Sequence, residues 1–124
     1  MKITEIREKT SAELTELLKE QKKELLRKKN NLSIAVYEFF FDNKVAKKDN
    51  IIRNQFEEAV GVIEKLIAAG VENGEFYCED PLGAARNIMY VLEGLKVSAH
   101  TIGITEKAVD DELLYIMKGL VVEE

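Results

Sequence analysis

The stretch Leu66-Ile67-Ala68-Ala69-Gly70-Val71-Glu72-Asn73-Gly74-Glu75-Phe76, with Asp80-Pro81 soon after it, reads as one helix ending and another beginning. Gly74 suits the left-handed residue that closes a helix. Glu75-Phe76 opens a short extended link, and Phe76 is large enough to plug the end of a bundle. Asp80 is an N-cap type and Pro81 is pre-set for the first helical position. Upstream, the ending helix runs from Asn50 to Asn73, capped by Asp49 or Asn50. Its apolar face is Phe56, Ala59, Val60, Ile63, Leu66, Ile67 and Val71. Downstream, the new helix runs to Ile102 with Ala84, Ala85, Ile88, Met89, Leu92, Leu95 and Ala99 on one side. Its small residues, Gly94 among them, let another helix approach closely. Gly103 ends it. Thr105 caps a further helix, Glu106 to Val122, with the stripe Val109, Leu113, Ile116, Met117 and Leu120.

Toward the N-terminus, Thr10-Ser11-Ala12-Glu13 has the residue types of a capping box, with Thr10 as N-cap and Glu13 reaching back. The helix it predicts carries Leu14, Leu17, Leu18, Leu25 and Leu26 on one face and ends at Asn30-Asn31. A second segment, Leu32 to Lys47, includes Tyr37, Phe39, Phe40 and Phe41. Three consecutive rings sweep a wide arc of a helix, so this segment is expected to be buried on more than one face or to line a cavity. The expected fold is all-α, an antiparallel bundle of about five helices with short loops. It forms a single domain over 1–124, with a charged N-terminal helix over 1–31 and a helical core over 32–124.

Composition closes off other classes. The chain has 124 residues, 46% of them hydrophobic and 33% charged, with seven Gly and one Pro. So few turn formers exclude a sandwich or barrel. No apolar run reaches the ~20 residues that span a bilayer. The start Met1-Lys2-Ile3-Thr4-Glu5 has no apolar signal core, so a cytoplasmic protein is expected. One Cys and one His cannot form a Cys/His zinc site. Cys78 lacks a cationic neighbour, and Glu79-Asp80 and Asp110-Asp111-Glu112 read as a cap and a helix surface. No catalytic residues, metal or cofactor are therefore expected. His100 reads as a packed or interface residue, with a pocket residue that bonds an effector as the less favoured reading. Residues 1–53 hold 13 Lys/Arg against 9 Asp/Glu, whereas 54–124 hold 5 against 14. A basic head of this kind could touch nucleic acid or an acidic partner, but a solvated helix with mixed charges is the favoured reading, and the acidic body would be repelled by phosphate.

In order, Gly70-Val71-Glu72-Asn73-Gly74-Glu75-Phe76, Asp80-Pro81, Ala84-Ala85 and Leu92-Glu93-Gly94-Leu95 resemble the C-terminal regulatory domain of TetR-family transcription regulators, over roughly Asn50 to Leu120. The resemblance implies an effector-binding and dimerising domain whose last two helices pair with those of a second copy. Nothing ahead of Asn50 resembles that family's helix-turn-helix, so a chain without its own DNA-binding domain, and no sequence-specific DNA contact, is expected. Residues 1–29 resemble the opening of the small two-helix ribosomal protein beside the large-subunit exit tunnel. The alternative function is thus a helical interaction module whose basic first helix docks on RNA, the ribosome or a protein partner.

Two sets of side chains follow as candidates. Tyr37, Phe40, Phe56, Ile63, Met89 and Tyr90 are expected to line an apolar pocket for a small hydrophobic ligand, with Met89 as an adaptable neighbour and the tyrosines offering hydroxyls. Leu95, Leu113, Met117 and Leu120 are expected at the two-fold axis of a homodimer. A filled core of the same aromatic residues is the competing reading of the first set.

Overall fold

The computed structural model describes residues 3–26 and 38–121. Five helical segments appear among them: α1 Ile3–Leu26, α2 over residues 38–42, α3 Ile51–Glu72, α4 Pro81–Thr101 and α5 Glu106–Lys118, with a 3-10 turn at Lys47–Asp49. No strand occurs among the described residues, only an isolated antiparallel bridge between Phe76 and Val121.

The expected caps form around α3, α4 and α5. The Asn50 side chain accepts the Arg53 N–H at 3.0 Å, the Asp80 carboxylate accepts the Gly83 N–H at 3.0 Å, and the Thr105 hydroxyl accepts the Ala108 N–H at 3.1 Å. Each satisfies one of the donors a helix start leaves without an intrahelical partner. Gly74 and Gly103 both have φ of 81°, so the two predicted stops take the left-handed conformation that costs glycine little.

The core joins all four long helices: Leu14, Leu18 and Leu25 from α1; Val60, Ile63 and Ile67 from α3; Ala85, Ile88, Leu92 and Leu95 from α4; and Val109 from α5. Phe76 and Leu120 close it at one end. α3 and α4 are the most extensively packed pair, joined by the link at 73–80. Cross-links set the directions. Thr10 of α1 meets Asn73 at the end of α3, whereas Lys22 meets Glu106 at the start of α5. The Tyr77 N–H donates to the Leu120 carbonyl just beyond α5. α1 and α4 therefore point away from the pole at which α3 and α5 finish.

Several boundaries differ from the sequence reading. α1 begins at Ile3, so Thr10 is not its N-cap. It sits inside the helix, buried, with its hydroxyl accepting the Asn73 Nδ2–H at 2.9 Å. α1 contributes Leu14, Leu18 and Leu25 to the core it shares with α3–α5. The segment expected to be helical over 32–47 is helical only over 38–42 among the described residues, and Asn43 Nδ2 ties off the Phe39 carbonyl at 2.8 Å. Such a side-chain bond competes with helix continuation. Its rings are not buried on several faces: Phe41 is 84% exposed and Phe39 52%. α5 stops at Lys118 rather than Val122, because Leu120 turns into the core and its carbonyl is needed by Tyr77.

Candidate functional site

Two of the aromatic candidates, Phe56 and Tyr90, meet between α3 and α4. Phe56, one turn into α3, meets Tyr90 of α4 with ring centroids 5.2 Å apart and planes tilted by 37°. Met89, beside Tyr90, is half-buried against the core, whereas Tyr90 itself is exposed. Ile63 is fully inside the core. Phe40 is half-buried and meets Phe39 edge-on at 5.3 Å. Tyr37 lies outside the described residues. The structure thus brings Phe56 and Tyr90 together as a partly open ring pair, and it assigns Ile63 to packing.

The candidates for a two-fold contact divide differently. Leu95 and Leu120 are buried in the chain's own core, while Leu113 and Met117 are half-buried against it. The apolar groups that remain exposed on α4 and α5 are their neighbours Leu82, Tyr90, Val97, Leu114 and Tyr115. Tyr90, Gly94 and Val97 share one face of α4 at helical spacing, and a Cβ on Gly94 would meet nothing within 4 Å.

Two polar clusters were not foreseen. At the far pole, Lys22 of α1 bridges α5, its ammonium 2.7 Å from Asp110 and 2.9 Å from Glu106. The hydrogen bonds it donates to Asp110 and then Glu106 hold its pKa above the ordinary 10.5. A groove of about 530 Å³ runs beside this bridge, lined by Lys19, Lys22, Lys23, Leu26 and Glu106. Its lysines are matched by carboxylates, Lys19 with Glu16 at 3.6 Å and Lys23 with Glu20 at 3.3 Å, so it presents no excess of positive charge. At the first pole, the Glu75 carboxylate accepts the Ser11 N–H through Oε1 at 2.7 Å, and Asn73 Oδ1 accepts the Glu75 N–H at 3.2 Å. Glu75 Oε2 is buried without a hydrogen-bond partner. The signal was present in Gly74-Glu75-Phe76, where Glu75 was read only as part of an extended link.

Among the described residues, no group of three His, Cys, Asp or Glu side chains is placed to hold a metal ion, and no helix is long and apolar enough to cross a membrane. Cys78 is half-buried against the core.

A family model described as "Tetracyclin repressor-like, C-terminal domain" matches residues 13–110. The match begins in α1, well ahead of the Asn50 at which the sequence resemblance was read, which agrees with α1 sharing the core. No curated protein and no solved structure matches the chain.

Proposed function

The chain belongs to the family of tetracyclin repressor-like C-terminal domains, and from that premise we propose that it is the effector-binding and dimerising part of a transcription regulator acting in the cytoplasm. The observation that carries the reading is the extent of the match, from α1 into α5, over the same helices that build one core. We place the effector, a small hydrophobic molecule, at the Phe56–Tyr90 pair, with Met89 next to Tyr90 on α4. There the rings supply apolar contact and the Tyr90 hydroxyl a handle for orientation. Binding acts by population shift: the ligand favours the packing of α3 against α4 in which these rings are spaced to hold it, and no bond is made or broken. The second chain of the dimer rests on the exposed sides of α4 and α5. The residues of this chain make no sequence-specific contact with DNA.

Docking on RNA through α1 is the less favoured reading. Lys19, Lys22 and Lys23 are each engaged by carboxylates, which leaves little net positive charge for phosphate.

A thermal-shift screen of hydrophobic and aromatic compounds tests the effector site. A true ligand at about 100 times its dissociation constant raises stability by ~2.7 kcal/mol. A hit that is lost in Tyr90→Ala and retained in Tyr115→Ala supports the placement. Hits unaffected by Tyr90→Ala, or none across the screen, overturn it.

A further inference from the structure

We propose that the effector is an aromatic carboxylate and that Arg86 selects it, taking the ligand's carboxylate in place of Glu57. This rests on the effector reading above, because it adds a charge to the ring pair which that reading uses. Three observations carry it: where Arg86 stands, how loosely it is held, and the sign of the charge left over around the rings.

Arg86 precedes Tyr90 by four residues on α4, ~6 Å of helix rise, so the two share a face. Opposite them on α3, Glu57 directly follows Phe56. The Phe56 and Tyr90 ring centroids are 5.2 Å apart, and Arg86 Nη2 lies 3.4 Å from Glu57 Oε2. The same two helices are thus joined by a ring pair and, one turn along α4, by an ion pair. That ion pair is a single long contact between side chains that are both close to half exposed. Pairs of this kind stabilise little and exchange partners readily. Among the described residues it is the one polar contact Arg86 makes. A guanidinium has five N–H donors in a planar fork that matches a carboxylate edge to edge, and most of this fork is unspent.

The leftover charge is positive, although residues 54–124 as a whole hold 14 acidic against 5 basic side chains. Glu57 is engaged by Arg86, and Glu93, three residues after Tyr90, by Lys96 at 3.5 Å. Glu58 stands two residues from Phe56 and so faces away from it around α3. Arg53, three residues before Phe56 and on its face of α3, is exposed, and its guanidinium has no hydrogen bond or ion pair among the described residues. Residue numbers fall along α3 as they rise along α4, so Arg53 is on the far side of the rings from Arg86. The rings therefore lie between two guanidinium groups, and the carboxylates on the same faces are already matched.

A planar aromatic acid answers to this arrangement. Its ring stacks on the exposed Tyr90, and its carboxylate accepts two N–H groups from Arg86. A neutral aromatic gains only the stacking, and a cationic one meets Arg86 and Arg53. Capture of the carboxylate also frees Glu57, so binding undoes a direct bridge between α3 and α4, the two helices whose packing the effector is read to shift.

Titration calorimetry on the full chain tests the proposal, with benzoate, 2-naphthoate and indole-3-acetate each compared with its neutral carboxamide. The carboxylates bind about tenfold more tightly, the size of one hydrogen bond to a charged group, and added salt narrows the difference. Arg86→Gln brings the carboxylates down to the affinity of the carboxamides. Glu57→Gln removes the competing anion, so it strengthens the carboxylates several-fold and leaves the carboxamides unchanged. Both positions are exposed, and unchanged helical circular dichroism shows that the variants fold. A carboxamide as tight as its carboxylate, or a preference that survives Arg86→Gln, overturns the inference and leaves the effector site standing. Binding that survives Tyr90→Ala, or none by either set of compounds, overturns the effector placement and the inference with it.

Discussion

At the scale of single residues, glycines of the same helix have opposite meanings. In Gly70 the absent side chain makes room: a Cβ there would clash with the edge of the Phe76 ring, which plugs the core at 2% exposure. At Gly61 a Cβ would meet nothing within 4 Å. Gly70→Ala should therefore cost about 1–3 kcal/mol through overpacking. Gly61→Ala should gain about 1 kcal/mol, because alanine loses less backbone entropy in a helix. Urea denaturation of the two variants checks both signs, and a Gly70→Ala as stable as the parent would show that Phe76 has room to move. The roles of Gly74, Asp80 and Phe76 were legible in the sequence because each acts through its own backbone or bulk. The role of Gly70 was not, since it depends on where a ring six residues later folds back. Glu75 escaped for the same reason: its partner Ser11 is remote in sequence.

At the scale of elements, starts and stops were read well where a side chain caps its own helix and badly where another element supplies the partner. α3 and α4 fall within a residue of expectation because Asn50, Asp80 and Gly103 act locally. Thr10 has a cap's chemistry, but α1 runs through it and Asn73 uses its hydroxyl. α5 ends early because Leu120 pairs with the link before α4. Asp80→Ala should accordingly cost about 1 kcal/mol and fray the first turn of α4, seen as faster exchange at Gly83 and Ala84. The bridge from Lys22 to α5 is a different kind of contact. Because Asp110 and Glu106 raise the Lys22 pKa above 10.5, its contribution is fully present below that value and fades as pH rises through the higher folded-state value. The difference in melting temperature between the parent and Lys22→Gln should be flat from about pH 6 to about pH 9 and shrink only above 10.5. Because both carboxylates are over half exposed, added salt should narrow the same difference. A gap that widened with alkalinity would exclude the bridge as its source.

At the scale of the whole molecule, the two-fold contact depends on which apolar groups the monomer has already used. Periodicity along α4 and α5 identified their apolar stripes but could not divide them between the chain's own core and a second copy. Both uses place the same residue types at the same spacing. In the fold, Leu95 and Leu120 go to the core, and Val97, Leu114 and Tyr115 stay outside. A dimer built on these helices should therefore cross near Gly94, where the bare backbone permits close approach between Tyr90 and Val97. This changes the variant that tests it. Met117→Glu would place a charge against the monomer's own core and unfold it, giving a loss of dimer for the wrong reason. Val97 and Leu114 are about half exposed in the single chain, so Val97→Glu and Leu114→Glu leave the fold able to hydrate the new carboxylate. Light scattering coupled to size exclusion should give the mass of two chains for the parent and one for each variant, with helical circular dichroism unchanged. A parent that elutes as one chain at micromolar concentration, or variants that remain dimeric, would place the contact elsewhere or remove it.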